Sequence, residues 1–156
     1  MSQTIEQKLA ELGITLPTPT APLANYVPVV RTGNLLFVSG QVSIDAAGKI
    51  TTGKLGSGVE IETGRAAARQ CAINILAQVK ASVGDLEKVV RVVKLVGFVN
   101  STPDFVDQPK VMNGCSDLLV EVLGDKGRHA RSAVGIAALP FDAAVEVEAV
   151  VEVETV

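Results

Sequence analysis

The chain of 156 residues is 47% apolar but only 3% aromatic, and it carries 14 basic against 17 acidic side chains. Its net charge of −3 lacks the positive excess with which nucleic-acid binders neutralise phosphates, so we expect no nucleic-acid partner. Two cysteines and one histidine, dispersed along the chain, offer neither a disulfide framework nor metal-ligand spacing. No phosphate-binding or dinucleotide-binding glycine motif occurs, so we expect no nucleotide cofactor, and the dispersed histidine and cysteines lead us to expect no metal.

A chain of this length suits a single domain, in which residues 1–25 form an N-terminal helix and a proline-rich arm and residues 26–156 form the core. It has no charged-then-apolar leader and no apolar run of membrane length, so we expect a soluble, cytoplasmic protein without a membrane partner. Its aliphatic content is high for a short chain. This suggests that another copy covers part of the surface and predicts a homo-oligomer.

The N-terminal region predicts a short helix followed by an extended arm. Residues 2–13 carry an apolar stripe at helical spacing that includes Ile5 and Leu9, and Gly13 is a typical residue just beyond a helix end. Three prolines between residues 16 and 22 are incompatible with a helix or a central strand. We therefore expect this arm to wrap over the domain in an extended conformation.

A β-hairpin is predicted next, with strands at residues 26–32 and 35–39 and a Gly-Asn pair as the tight turn between them. A short third strand is predicted at residues 42–44. Gly40 interrupts this pattern, which indicates a β-bulge or a close approach of the backbone to a ligand. An ordinary kink in the strand is the alternative interpretation, and the sequence favours neither.

Two long helices are predicted, each followed by a glycine. The first begins at a capping box formed by Ser57 and Glu60 and extends to Val83. Its buried stripe is predicted to contain Ala68, Ala72, Ile75, Val79 and Val83, with Arg65, Arg69, Gln70 and Asn74 lying off the stripe. The second helix begins near Pro109, capped by an aspartate, and ends at Gly124 with its apolar face inward.

The remaining segments predict three strands. Residues 89–99 are apolar on both faces, so this strand should be central, with helices on one face and some other cover on the second. Between His129 and Val153, two strands are joined by a turn at residues 139–142. The order of hairpin, short strand, helix, strand, helix, strand and strand predicts an α+β domain, a mixed sheet with two helices on one face.

Alternation in the last strand separates an apolar face from an acidic one, because side chains alternate along a strand. The apolar face holds Val145, Val147, Ala149, Val151 and Val153, and the acidic face holds Glu146, Glu148, Glu152 and Glu154. Arg131 opens the preceding strand, which we take to be adjacent. Arg131 and Glu146 are therefore either a structural ion pair or parts of a binding site.

Few side chains remain that could carry chemistry. The candidates are Arg131, Glu146, Asn113, Tyr26, Ser39 and the backbone at Gly40. Arg131 can grip a carboxylate bidentately, and Glu146 can orient or deprotonate a water. Asn113, on an otherwise apolar helix, can supply both a donor and an acceptor. The structural alternative is an arginine–glutamate ion pair, a half-buried core tyrosine and a surface asparagine.

The histidine and the cysteines carry weaker signals. His129 stands beside two arginines without a Ser- or Cys-centred motif, so a nucleophilic triad is unsupported and we interpret it as structural or solvated. Cys71 and Cys115 fall inside the helical patterns. We interpret both as small buried hydrophobic residues in a reducing compartment.

Several short motifs occur in order along the core. They are Tyr26-Val27, Gly33-Asn-Leu-Leu-Phe-Val-Ser-Gly-Gln41, Ala130-Arg-Ser132 with Leu139-Pro140, and Val145-Glu-Val-Glu-Ala149. Together they resemble the Rid (YjgF-like) family of reactive-intermediate deaminases, also labelled the endoribonuclease L-PSP family. The resemblance implies a chorismate-mutase-like α+β fold and a homotrimer with ligand clefts between subunits. It also implies cofactor-free hydrolysis of imines and enamines of 2-keto acids, such as 2-aminoacrylate.

The resemblance assigns roles to individual residues. Arg131 corresponds to the carboxylate-binding arginine and Glu146 to the water-positioning glutamate. The other cleft residues of the family correspond to Tyr26, Ser39 and Asn113. Ala133 stands where many members carry a cysteine, so this substrate-binding position keeps its function only if it acts through its backbone carbonyl.

Two other functions remain open at this point. A trimer could bind small carboxylic acids as a sensor or regulator, using the same arginine without an activated water. The second alternative function is that of an endoribonuclease or translation inhibitor. The acidic net charge and the shortage of aromatic side chains for base stacking disfavour it.

Overall fold

The computed structural model describes residues 2–21 and 24–156, in which three α-helices and seven strands are formed. The helices are α1 (Ile5–Glu11), α2 (Ile61–Val83) and α3 (Gln108–Leu123). The strands are β1 (Val29–Thr32), β2 (Leu35–Val42), β3 (Lys54–Leu55), β4 (Gly58–Val59), β5 (Val89–Asn100), β6 (Ala130–Ile136) and β7 (Val145–Val153). Each predicted helix has a counterpart here, and so does each predicted strand except the one at residues 42–44.

Five strands form one mixed sheet in the order β1-β2-β7-β5-β6. Neighbouring strands are antiparallel except β5 and β6, which run parallel. Parallel neighbours need a long crossover connection, and α3 lies within it. Helices α2 and α3 pack against each other and against the same face of the sheet. The predicted α+β fold, a mixed sheet with two helices on one face, is therefore confirmed.

Strands β6 and β7 are not neighbours, although they follow one another in the chain. Strand β5 lies between them, parallel to β6 and antiparallel to β7. The prediction that the strand of Arg131 is adjacent to the last strand is wrong. The connection turns at Phe141 and Asp142, whose φ angles are 60° and 55°, and it is held to the end of β5 by hydrogen bonds from Asn100.

The N-terminal helix α1 packs on the same apolar core as the main helices. A capping box at Thr4 starts α1, and Ile5 and Leu9 are buried in the core. Leu16 then packs against the core, and residues 17–20 line one hollow together with the middle of α2. The last proline of the predicted arm, Pro22, lies outside the described residues.

The start of α2 differs from the prediction. Glu60 is the N-cap, but its side chain makes no capping hydrogen bond, so the predicted capping box with Ser57 is wrong. The Ser57 backbone N–H instead donates to Lys54 O, in a turn that joins the two short parallel strands β3 and β4. At the other end Gly84 has a φ of 83° and ends the helix as predicted.

Asn74 is a buried polar residue that the helical pattern placed off the apolar stripe. It is only 5% exposed, and its Nδ2 donates to Val42 O and Ile44 O at 2.9 Å each. These two bonds hold the chain beyond β2 through a side-chain amide. The predicted strand at residues 42–44 is therefore absent, because β2 ends at Val42 and Asn74 takes the place of a strand partner.

The stripe of α2 and the inward face of α3 are largely as predicted. Buried positions include Ala68, Ala72, Ile75 and Val79 on α2 and Val111, Cys115, Leu118 and Val122 on α3. On β5, Leu95 and Val99 are fully buried against the helices, whereas Val96 and Phe98 lie on the opposite face and are partly exposed. In the described part of the chain that opposite face carries no helix.

We predict that Asn74→Ala lowers the free energy of unfolding by about 1–3 kcal/mol, because it leaves the Val42 and Ile44 carbonyls without their donors. Urea denaturation measures this change. Arg69→Ala is the matched control, since Arg69 is exposed on the same helix and should change stability little. Equal midpoints for the two variants would show that the buried amide does not hold the end of β2.

Candidate functional site

Strand β7 has the predicted alternation. Its buried residues are Val145, Val147, Ala149, Val151 and Val153, which face the helices. Glu146, Glu148 and Glu152 lie on the other side, and Glu154 lies beyond the end of the strand. We call this other side of the sheet the open face, which includes Phe37, Ser39, Lys94, Val96, Phe98, Val134, Glu146, Glu148, Val150 and Glu152. A hollow of about 420 Å³ lies over part of it.

Gly40 lies at a β-bulge, where the pairing of β2 with β7 shifts register between Val38 and Gln41. A Cβ atom at Gly40 would lie 2.4 Å from Oε1 of Glu146. The bulge interpretation is therefore confirmed, and the group close to the Gly40 backbone is Glu146. The missing side chain gives the Glu146 carboxylate its space.

The Glu146 carboxyl group is half-buried on the open face. Burial raises its pKa above the usual range, because the charged form loses solvation, and the like charge of Glu148 raises it further. A carboxylate with a raised pKa is a stronger base than an ordinary one. The environment of Glu146 therefore suits proton abstraction from a water better than that of an exposed glutamate.

Arg131 lies on the helix-bearing face of the sheet. It is paired with Leu95, which is paired in turn with Ala149, and both of these partners are buried against the helices. Its Nη1 donates to Oδ1 of Asn113 at 2.9 Å and to Oγ of Ser116 at 3.1 Å. Within the described residues it forms no ion pair. Its positive charge is therefore held by neutral acceptors and is available to an external anion.

Arg131 and Glu146 do not meet within one copy of the chain. Strand β5 separates their strands, and the ladder places Arg131 on the helix-bearing face and Glu146 on the open face. The interpretation of the two as a structural ion pair is therefore wrong. Hydrogen bonds place Asn113 and Ser116 beside Arg131, whereas Gly40 lies beside Glu146.

The other predicted site residues divide between these locations. Tyr26 precedes β1 and is 57% exposed, so it is not a half-buried core residue. Ser39 lines the hollow on the open face, and its Oγ donates to Val27 O at 3.3 Å. Ala133 lies two residues after Arg131 on the same side of β6, half-buried against the core.

Two further residues belong to the surroundings of Arg131: His129, which the sequence analysis interpreted as structural or solvated, and Ser116, which it did not consider. Ser116 Oγ lies 2.8 Å from His129 Nε2, and His129 Nδ1 lies 2.6 Å from Gly127 O. Burial lowers the pKa of His129, so the neutral ring is favoured. A possible signal was the spacing, since Ser116 follows Asn113 by one helical turn and His129 precedes Arg131 by two residues.

The described residues offer few other chemical groups. Cys71 and Cys115 are both buried, and burial raises the pKa of the Cys115 thiol to about 12. Residues 2–21 and 24–156 contain no cluster of three or more His, Cys, Asp or Glu side chains that could hold a metal ion. Over the same ranges no helix combines the length and the apolar character needed to cross a bilayer.

Comparison with known proteins agrees with this fold. A family model described as "YjgF/chorismate_mutase-like, putative endoribonuclease" matches residues 6–153. Protein TCP17 of Trypanosoma cruzi is 51% identical over 149 residues, which cover 95% of this chain and 93% of that protein. The crystal structure of a protein of unknown function from Agrobacterium tumefaciens is 54% identical, covers 97% of this chain and 94% of that one, and superposes with a TM-score of 0.89.

A more distant relative has a named activity. The 2-iminobutanoate/2-iminopropanoate deaminase of Dermatophagoides farinae is 29% identical over 142 residues, covering 90% of this chain and 95% of that enzyme. The fold defines a chorismate-mutase-like α+β protein. The chain belongs to the YjgF/chorismate mutase-like family, as the motifs of its core predicted.

We predict that Gly40→Ala displaces the Glu146 carboxylate, because the new Cβ would meet Oε1, Cδ and Cγ of that side chain. Denaturation should show a loss of about 1–3 kcal/mol, as is typical of overpacking. In a background of Glu146→Ala, which removes the clashing atoms, the same change should cost much less. A cost of Gly40→Ala that is equal in both backgrounds would show that the two residues do not compete for space.

Proposed function

We propose that this protein hydrolyses imines and enamines of 2-keto acids, releasing the keto acid and ammonia. The observation that supports this most is the state of the Arg131 guanidinium. It donates hydrogen bonds to neutral oxygen atoms of Asn113 and Ser116, and no acidic side chain in the described residues neutralises its charge. Such a group suits the carboxylate that every substrate of this class carries. The activity named for the Dermatophagoides farinae relative points to the same class.

In this proposal Glu146 activates the water. It takes a proton from a water whose oxygen adds to the carbon of the C=N bond, and it gives that proton to the imine nitrogen, which becomes an amine on a tetrahedral carbon. Collapse of that carbinolamine forms the C=O bond and breaks the C–N bond; Glu146 passes the hydroxyl proton to the leaving nitrogen, so that ammonia leaves and the carboxylate is ionised again. One imine and one water thus give one 2-keto acid and one ammonia, and no redox partner is needed.

The two halves of this site require a second copy of the chain. Arg131 and Glu146 lie on opposite faces of one sheet, so a shared cleft must combine Arg131 of one copy with Glu146 of another. The open face is partly apolar, with Phe37 and Val134 more than 40% exposed, which suits cover by a second copy. We propose a homotrimer with clefts between subunits, in which Tyr26, Ser39, Asn113 and Ala133 shape the cleft.

A regulator that binds carboxylic acids without turnover is the second candidate. It is supported by the same uncompensated guanidinium, and it needs no water near Glu146. Glu146→Gln separates the two functions, because binding of a 2-keto acid survives this change in both cases and turnover is lost only in an enzyme. The net charge of −3 keeps an endoribonuclease as the weakest candidate.

We predict that Arg131→Ala lowers kcat/KM roughly 10- to 100-fold, as expected for the loss of charged hydrogen bonds, and that Glu146→Gln lowers kcat about 100-fold or more, as for a lost general base. Keto-acid release from an imine made in situ by an amino-acid oxidase measures both. The control is Arg69→Ala, which changes an exposed residue of α2. Wild-type rates in Arg131→Ala would remove this residue from the mechanism.

We predict an acid limb in the pH profile of kcat, which reports the enzyme–substrate complex, and this limb should lie above the pKa of an ordinary glutamate. Glu146 acts only when ionised, and burial and Glu148 raise its pKa, so activity falls as the pH drops through that raised value. Glu148→Gln removes the repelling charge, so the limb should move to lower pH while turnover at neutral pH is retained. A limb that does not move in Glu148→Gln contradicts this assignment.

A further inference from the structure

We propose that Ser116 and His129 are positioning residues that aim the guanidinium of Arg131 at the substrate carboxylate, a role that rests on the function proposed above. Neither residue touches substrate in this proposal. They act through a chain of hydrogen bonds that begins at a backbone carbonyl and ends on Arg131, and each bond in this chain has a defined donor.

The direction of the chain follows from its first bond. His129 Nδ1 lies 2.6 Å from Gly127 O, and a carbonyl can only accept, so Nδ1 carries the proton. In the neutral ring Nε2 is then an acceptor, and Ser116 Oγ, 2.8 Å away, donates its hydrogen to it. Burial lowers the pKa of His129, and the Gly127 carbonyl opposes this with a smaller effect. The neutral ring is therefore favoured, and it is the form that this series of hydrogen bonds requires.

This direction determines what Arg131 meets. Because the hydroxyl hydrogen of Ser116 is used on His129, the side of Oγ that faces Arg131 is an acceptor, and Nη1 donates to it at 3.1 Å. The second hydrogen of Nη1 goes to Asn113 Oδ1 at 2.9 Å. Nη1 is thus fully used within the described residues. The edge formed by Nε and Nη2 makes no hydrogen bond there, and it is one of the edges that bind a carboxylate bidentately.

A purely structural role for His129 would need only the bond to Gly127 O. Ser116 would then be free to rotate its hydroxyl, and its loss would not change how Arg131 binds an anion. The positioning role instead couples Ser116 and His129 to Arg131, which a change of stability alone would not reveal. The tautomer of His129 and the separate effects on KM and kcat distinguish the positioning role from a structural one.

The first test uses ¹⁵N NMR of histidine, which is unambiguous because the chain has 1 histidine. The wild type should show a neutral ring protonated on Nδ1, with Nε2 accepting a hydrogen bond. Addition of 2-oxobutanoate should shift the Nε2 signal in the wild type and leave it unchanged in Ser116→Ala. A ring protonated on Nε2, or a charged ring at neutral pH, would overturn the proposal.

The second test is kinetic. Ser116→Ala and His129→Phe should each raise KM roughly tenfold, as for a weakened hydrogen bond to a charged group, with kcat within about twofold because carboxylate binding is uniform along the reaction. His129→Gln should recover part of the loss, since its amide oxygen can accept from Ser116. The double variant should be little worse than Ser116→Ala alone. Ser82→Ala, a serine on α2 that bonds Gln78 O, is the control.

The outcomes separate this inference from the proposed function. A wild-type KM in both Ser116→Ala and His129→Phe, with an active wild type, overturns the positioning role and leaves the deaminase intact. A wild type that neither turns over imines nor binds 2-oxobutanoate overturns both. If His129→Phe fails to fold, Ser116→Ala and His129→Gln carry the same comparison, and equal KM values for these two and the wild type again overturn the role.

Discussion

The two-sided character of strand β7 is the constraint on which the rest of the structure depends. β7 pairs with β2 on one side and with β5 on the other, so it cannot rotate without breaking both ladders. Four of its valines fill the core under the helices, namely Val145, Val147, Val151 and Val153, and this burial forces its glutamates to the open face. Glu146 is thus presented on the open face by the packing of its neighbours, and Gly40 on β2 leaves the room that its carboxylate needs.

Arg131 illustrates the opposite use of the fold. Strand β6 lies at the edge of the sheet, and its arginine reaches α3 where Asn113 and Ser116 meet it with neutral oxygen atoms. A carboxylate in their place would have neutralised the guanidinium and removed its attraction for an anion. Because the acceptors are neutral, Arg131 keeps its positive charge. Only the contacts of its side chain could therefore show that it is not half of an ion pair with Glu146.

Most local patterns were predicted correctly, with the capping box at Ser57 as an exception, whereas pairings between distant segments were not predicted. The alternation of β7, the glycine after α2 and the bulge at Gly40 follow from the preferences of neighbouring residues. The order of β6, β5 and β7 depends on a parallel crossover that no local signal records. Asn74 was misplaced for a similar reason, because its partners at Val42 and Ile44 lie 30 or more residues away. His129 likewise meets Ser116, 13 residues away in the chain, which no local pattern indicates.

The placement of the two charged residues on opposite faces has a consequence for how the proposed cleft works. Cover of the open face by a second copy would bury Glu146 further and raise its pKa, whereas a nearby guanidinium would lower it. A substrate carboxylate bound to Arg131 would neutralise part of that guanidinium charge. Its arrival would therefore strengthen Glu146 as a base at the moment when the water is needed. An empty cleft would keep Glu146 as a weaker base, so proton abstraction would be linked to the presence of substrate.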